Sequence, residues 1–156
     1  MDENGEVTIE GVTYKINQDT HDAEVIKVAA TGGQVSILDH VTTDYQDYPV
    51  TKIGNRAAIN QDLMVIPNEV RIWYNTNLTH FTVPKTVSVI DEATFTASGL
   101  QDITFVEGSI LHTIDERAFA YVPMTSVKFS ANLLLIGSSA FAAMDFRRLS
   151  LIRICF

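Results

Sequence analysis

Three stretches of this chain repeat one another. Thr79-His80-Phe81-Thr82-Val83-Pro84 leads to Val89-Ile90-Asp91-Glu92-Ala93-Thr94-Phe95. Gln101-Asp102-Ile103-Thr104-Phe105 leads to Thr113-Ile114-Asp115-Glu116-Arg117-Ala118-Phe119. Thr125-Ser126-Val127-Lys128-Phe129 leads to Leu135-Ile136-Gly137-Ser138-Ser139-Ala140-Phe141. The isoleucines at 90, 114 and 136 and the phenylalanines at 95, 119 and 141 both step by 24 and then 22 residues. A period of that length marks a solenoid of stacked units. No unit can bury its apolar face alone, so each is stabilised by its neighbours.

The rung follows from strand geometry. Leu78-x-x-Phe81-x-Val83 turns three apolar side chains inward, and the residues between them point outward. Stacking predicts apolar ladders: Leu78, Leu100, Met124 and Phe146; Phe81, Ile103, Val127 and Leu149; Val83, Phe105, Phe129 and Leu151; Ile90, Ile114 and Ile136; Phe95, Phe119 and Phe141. Rungs at 78–99, 100–123 and 124–145 are regular, and Phe146 to Leu151 begins a further, incomplete one.

Earlier rungs depart from the pattern. Val35-Ser36-Ile37-Leu38-Asp39-His40-Val41 superposes on Phe81 to Val87. An insertion from Thr42 to Pro49 follows, with Asp44-Tyr45-Gln46-Asp47 as a turn. Val50 to Ala58 rejoins the register of Leu133 to Phe141, with Ala58 replacing the phenylalanine. The next rung is degenerate. Met64 to Val70 matches, Trp73 falls where isoleucine is expected, and only 17 residues separate Ile66 from Val83. Residues 1–34 read differently: Glu6-Val7-Thr8-Ile9-Glu10 and Val12-Thr13-Tyr14-Lys15-Ile16 alternate at the strand period around a Glu10-Gly11 turn, and Glu24 to Val28 is a third strand. They predict a small amino-terminal β cap (1–34) closing a solenoid (35–156), because a first rung otherwise exposes its core.

Composition narrows the function. The chain has 156 residues, enough for one sizeable core, and 46% apolar residues, too many for disorder. Residues 1–50 hold ten acids and two lysines and so carry the whole net charge of −8, while 51–156 hold nine of each sign. An acidic amino-terminal third argues against nucleic acid, which needs a basic face. A solvated acidic surface explains it better than a specific cation site. The single Cys155 forms no intrachain disulfide, and no zinc-ligand spacing occurs. No apolar run approaches the roughly 20 residues of a membrane span. The start, Met1 to Glu6, is acidic and polar and is no signal peptide. Either the protein is cytosolic, or its leader is not part of this chain.

The repeat resembles BspA-type leucine-rich repeats, also called the Treponema pallidum class. The family rung runs roughly L-T-x-I-x-I-P-x-x-V-x-x-I-G-x-x-A-F, and Leu78 to Phe95, Leu100 to Phe119 and Met124 to Phe141 fit it. Tyr48-Pro49-Val50-Thr51-Lys52-Ile53-Gly54 and Gly11-Val12-Thr13-Tyr14 resemble the usual entry into such domains. The resemblance covers about residues 8–152. Ala58, the short rung at 61–77 and the absent carboxy-terminal cap depart from it. It implies a mainly β leucine-rich repeat solenoid, with a parallel sheet on the concave face and short helical turns on the convex side. It further implies secretion or surface display in host-associated bacteria and some protists, with roles in adhesion and protein binding. Fold alone does not establish function.

The outward residues form three columns: Thr79, Gln101, Thr125 and Arg147; His80, Asp102, Ser126 and Arg148; Thr82, Thr104, Lys128 and Ser150. Solenoids commonly bind on this surface. His80, Thr82, Gln101, Asp102, Thr104, Ser126, Lys128, Arg147 and Arg148 are therefore the candidate partner-binding residues, for a protein or glycan. The His, Asp and Ser of one column do not make a triad. At roughly 4.8 Å per strand, His80 and Ser126 stand roughly 9–10 Å apart, and Asp102 lies where a triad needs histidine. No catalytic, cofactor or metal site is expected. His80 with Asp102 supplies only two metal ligands, which reads better as a surface polar pair. His112 lies outside the array, on the convex side, and His21 and His40 have no evident ligand partners.

Three features stand apart. Trp73-Tyr74 is either a core plug or an exposed anchor; Trp73 aligns with the buried isoleucine and Tyr74 is the better anchor. Asn77-Leu78-Thr79 is a glycosylation sequon that also suits a turn. Arg147 to Phe156 is apolar and basic, an uncapped end that reads as a truncation scar, a self-association edge or an anchor into a partner. The sequence thus predicts a non-enzymatic surface or secreted binding module, with a structural spacer in a larger surface protein as the alternative.

Overall fold

The computed structural model describes residues 1–29, 33–59, 63–66, 69–72 and 77–144. The chain opens as an antiparallel meander of β1 (Glu6–Ile9), β2 (Val12–Asn17) and β3 (Asp22–Val28). Glu10 and Gly11 join the first two strands at φ 48° and 80°, the left-handed pair whose twist suits a two-residue hairpin. Alternation does what it promised: Val12, Tyr14 and Ile16 are buried, while Lys15 and Asn17 face water.

Then β4 (Gln34–Ser36), β5 (His40–Thr43) and β6 (Gln46–Ile53) follow. The expected insertion is the β5–β6 hairpin, turning at Asp44 and Tyr45 with φ 50° and 64°. The remaining strands are β7 (Leu63–Ile66), β8 (Glu69–Ile72), β9 (His80–Val83), β10 (Val89–Ile90), β11 (Asp102–Phe105), β12 (Thr113–Ile114) and β13 (Leu135–Ile136).

Two parallel arrays carry the repeat. The smaller sheet runs β11-β9-β4, in a register that aligns Val35 with Phe81 and Ile103. The larger runs β1-β2-β3-β6-β10-β12-β13, parallel from β3 onward. Its central row is Val25, Ile53, Ile90, Ile114 and Ile136, so β3 supplies the first member of the row. Between the sheets lie Leu78, Leu100 and Met124, all fully buried, and a file of rings. Phe95 stacks on Phe119 at 5.1 Å and Phe119 on Phe141 at 5.3 Å, while Phe81 closes the file edge-on against Phe95 at 4.9 Å. Tyr14 ties β2 to the segment after β4: its buried hydroxyl accepts the Leu38 amide at 3.0 Å.

Three expectations are corrected. The described residues contain no helix. Where helical turns were expected, the third residue after each ladder isoleucine sits at positive φ: Arg56, Ala93, Arg117 and Ser139, at 53–56°. The seventh does so as well at Ala97, Tyr121 and Ala143. That alternation prevents intrarung i→i−4 bonding. Backbone amides bond to the next rung instead: Ala93 to Glu116, Phe95 to Ala118 and Ala97 to Ala120, repeated from Arg117, Phe119 and Tyr121 to Ser138, Ala140 and Ala142.

The degenerate rung is not a rung in the sheets. β7 and β8 pair antiparallel as a separate hairpin, and β9 and β10 pair directly with β4 and β6. The segment is too short for a rung and lacks its Ala-Phe half. Trp73 and Tyr74 lie outside the described residues.

In the rung from Met124, no strand forms at 125–129. Its side chains still insert, but Val127 and Phe129 are only half-buried where Phe81 and Val83 are fully so. The apolar burial that orders a strand is correspondingly smaller here. The strand expected from Phe146 to Leu151, together with Cys155, lies outside the described residues.

Candidate functional site

The smaller sheet brings part of the expected array together. Parallel pairing sets His80 beside Asp102 and Thr82 beside Thr104. His80, Asp102 and Thr104 are exposed and Thr82 is half-buried. Gln101 is exposed at the entrance to β11, and Ser126 and Lys128 are exposed on the segment that forms no strand. Arg147, Arg148 and Ser150 lie outside the described residues.

β4 extends two columns in a way the site assignment missed. Gln34 pairs with His80, and Ser36 with Thr82. The displayed rows are thus Gln34-His80-Asp102 and Ser36-Thr82-Thr104. The match of Val35 to Phe81 already contained this, since inward partners fix the outward ones. The column that begins at Thr79 behaves differently. Thr79 is half-buried, and its hydroxyl donates to the Gly33 carbonyl at 2.7 Å. That hydroxyl also lies 2.9 Å from His80 Nδ1, which engages this ring nitrogen and leaves Nε2 as the one to face a partner.

Local backbone bonding explains how the strands enter. The amides of Thr79 and His80 share the Gly33 carbonyl, and those of Gln101 and Asp102 share the Thr79 carbonyl. Each rung thereby enters the sheet at a fixed offset, which holds the polar rows in line.

The chemistry on offer is hydrogen bonding. An amide, an imidazole and a carboxylate stand in one row and three hydroxyls in the other. Among the described residues no hydrogen bond or ion pair joins His80 to Asp102. Among those same residues, no group of three or more His, Cys, Asp or Glu side chains is placed to hold a metal ion. No helix among them is long and apolar enough to cross a membrane.

The perturbed ionisable groups lie elsewhere, across β3, β6 and β10. Lys52 Nζ stands 2.5 Å from Asp91 Oδ2 and 3.7 Å from Glu24 Oε1. Burial opposes charge on both Lys52 and Asp91. Taken together, the hydrogen bond and charge attraction between them, with Glu24 beside Lys52 and the Glu92 amide donating to Asp91, outweigh that burial. Lys52 is therefore held above its usual range and Asp91 below it. This ion cluster links β3, β6 and β10 and stands apart from the polar rows. The sequence carried no signal for it, because its three members are distant along the chain.

Known proteins can now be set beside this geometry. A leucine-rich repeat protein from Bacteroides capillosus is 24% identical, with a TM-score of 0.70 over 93% of this chain and 96% of that one. The pneumococcal vaccine antigen PcpA is 22% identical, with a TM-score of 0.68 over 90% of this chain and 36% of its own. A leucine-rich cell surface protein from Faecalibacterium prausnitzii is 19% identical, with a TM-score of 0.51 over 90% of this chain and 52% of its own. At such identities these likenesses establish a leucine-rich repeat protein fold. No curated protein matches the chain. The model of the BspA type leucine rich repeat region matches in six copies across residues 65–153, more than half of the sequence. With its register, its ladders and this match agreeing, the chain belongs to the BspA-type leucine-rich repeat family.

Proposed function

We propose that this chain is a non-enzymatic interaction module. It would engage a protein or glycan partner through the outward face of β4, β9 and β11, as the concave face of a solenoid capped by residues 1–34. The observation that carries this reading is the in-register polar strip Gln34-His80-Asp102 beside Ser36-Thr82-Thr104. Such a strip offers several hydrogen bonds at fixed spacing, which suits recognition and lacks an activated nucleophile. Membership of a leucine-rich repeat family supports protein interaction in general. Surface display or secretion is the localisation we infer, supported by likeness to a vaccine antigen and a cell surface protein.

A screen of the purified chain against extracellular matrix proteins and glycans tests the reading. Saturable binding should fall at least tenfold in a His80→Ala, Asp102→Ala, Lys128→Ala variant whose melting is unchanged. Binding that ignores these substitutions sinks the assignment to this face. A spacer role is the second reading, favoured because the chain spans only 36% of PcpA; absence of any ligand for chain and variant alike would turn the balance to it.

A further inference from the structure

One proton decides the hydrogen-bonding roles around His80. The Thr79 hydroxyl oxygen lies 2.7 Å from the Gly33 carbonyl oxygen and 2.9 Å from His80 Nδ1. Two oxygens that close repel unless a proton lies between them, and a carbonyl has none to give. The single hydroxyl proton therefore points to Gly33. The seat is tight: a Cβ on Gly33 would fall 2.7 Å from this same oxygen, so glycine is what admits it. Towards His80 the hydroxyl offers only lone pairs, so Nδ1 carries a proton and donates. In the neutral ring Nε2 is then a bare acceptor. That is the reverse of the tautomer a histidine side chain prefers in water.

The register sets Gln34 on one side of this ring and Asp102 on the other, and all three residues are exposed. Among the described residues no hydrogen bond or ion pair takes the Asp102 carboxylate. Two adjacent strands, roughly 4.8 Å apart, thus display an imidazole lone pair and a free carboxylate. Both accept, neither donates, and the pair carries a negative charge. Its complement is a cation with several N–H donors. A guanidinium fits best, because its fixed fork serves two acceptors at once. A sugar fits less well: its hydroxyls accept as well as donate, and no Trp, Tyr or Phe stands in the two rows for its ring to stack on.

We propose that His80 and Asp102 form a subsite for an arginine side chain of a protein partner, with Thr79 as the positioning residue that fixes His80 as an acceptor. This rests on the reading of the same face as a partner surface and names the chemistry that the partner brings to it.

Long-range proton–nitrogen NMR of the full chain, at a pH where the ring is neutral, reads the tautomer, and N-acetyl-arginine amide is the probe. The expected result is the Nδ1–H tautomer in the parent and in Thr79→Ser, and a shift towards Nε2–H in Thr79→Val. The probe should move the His80 Nε2 and Asp102 amide signals saturably, and bind about fivefold more weakly to Thr79→Val, the loss of one hydrogen bond. Its neutral isostere, N-acetyl-citrulline amide, should not bind. Asp102→Asn, at an exposed position, serves if the valine disturbs the strand; it should weaken the probe and leave the tautomer unchanged. An Nε2–H tautomer in the parent overturns the proposal, as does a tautomer indifferent to the valine, affinity indifferent to Asp102→Asn, citrulline binding as well as arginine, or no saturable shift up to the solubility of the probe. A partner lost on the His80→Ala, Asp102→Ala, Lys128→Ala substitution but indifferent to Thr79→Val overturns this subsite and leaves the module reading standing. A probe that binds as expected, while the screen yields no partner, supports the acceptor pair and counts against the module reading.

Discussion

The two ends of this stack meet the same problem in different ways. At the amino-terminal end the ladder stops at Val25, which is fully buried because β1 and β2 turn antiparallel and cover it. The Glu24-Lys52-Asp91 cluster then fixes that cover to the first rungs. At the other end of the described residues the last ladder member is Ile136, which is 43% exposed. Parallel stacking has no built-in terminus, so an end must be made, and reversing strand direction is how this chain makes one.

The largest expected effect separates middle from end. Phe119 is fully buried between two rings, so Phe119→Ala should cost about 3–5 kcal/mol. Phe141, only half-buried, should cost about half as much on truncation. Chemical denaturation of the two variants checks this, and equal losses would mean that the end is as well covered as the middle.

A smaller effect concerns the link between β3, β6 and β10. Asp91 is held below the ordinary carboxylate range, so its contribution is complete above about pH 4 and fades as pH falls through its lowered folded value. Lys52 is raised, so its share persists to high pH and is lost only above the ordinary lysine range. Asp91→Asn should flatten the acid limb of the stability profile. At neutral pH it should cost below about 1 kcal/mol, because the Lys52 side chain is 37% exposed. Thermal melts at several pH values read both quantities, and an unchanged acid limb would remove the cluster as the clasp.

The smallest effect probes the turns. Ala97 sits at φ 53°, a conformation costing an alanine about 1 kcal/mol, so Ala97→Gly should be neutral or stabilising by a few tenths of a kcal/mol. Ala142, which lies outside the positive-φ positions, should lose about 0.5–1 kcal/mol on the same change. Opposite signs in paired melts would confirm that the turns are built on strained non-glycine residues.

Repetition made the ladders legible. Five columns could be written down from spacing alone, and the register of Val35 with Phe81 and of Ile53 with Ile90 follows them. The turns were not legible, since Arg56, Ala93, Arg117 and Ser139 share a backbone conformation without sharing a residue type, and none is glycine. The β7–β8 hairpin was hidden for another reason: its apolar residues satisfy an inward pattern, and spacing alone does not say which partner a strand takes. Of the site, His80 beside Asp102 was readable, whereas the diversion of Thr79 to Gly33 depends on a contact between residues 46 apart.

From isoleucine to phenylalanine each rung counts five residues, at 90 to 95, 114 to 119 and 136 to 141. From the leading apolar residue to the isoleucine the count varies, 12 from Leu78, 14 from Leu100 and 12 from Met124. The surplus falls around Gly108, whose φ is 79° and which has open space beside it. The β5–β6 hairpin is inserted at the corresponding corner of its own rung. Length can therefore drift between the leading residue and the isoleucine, and after the phenylalanine position where β7 and β8 are inserted, but not between isoleucine and phenylalanine, and a lineage of such chains would be expected to diversify in loop size at the first two places while that short segment is copied whole.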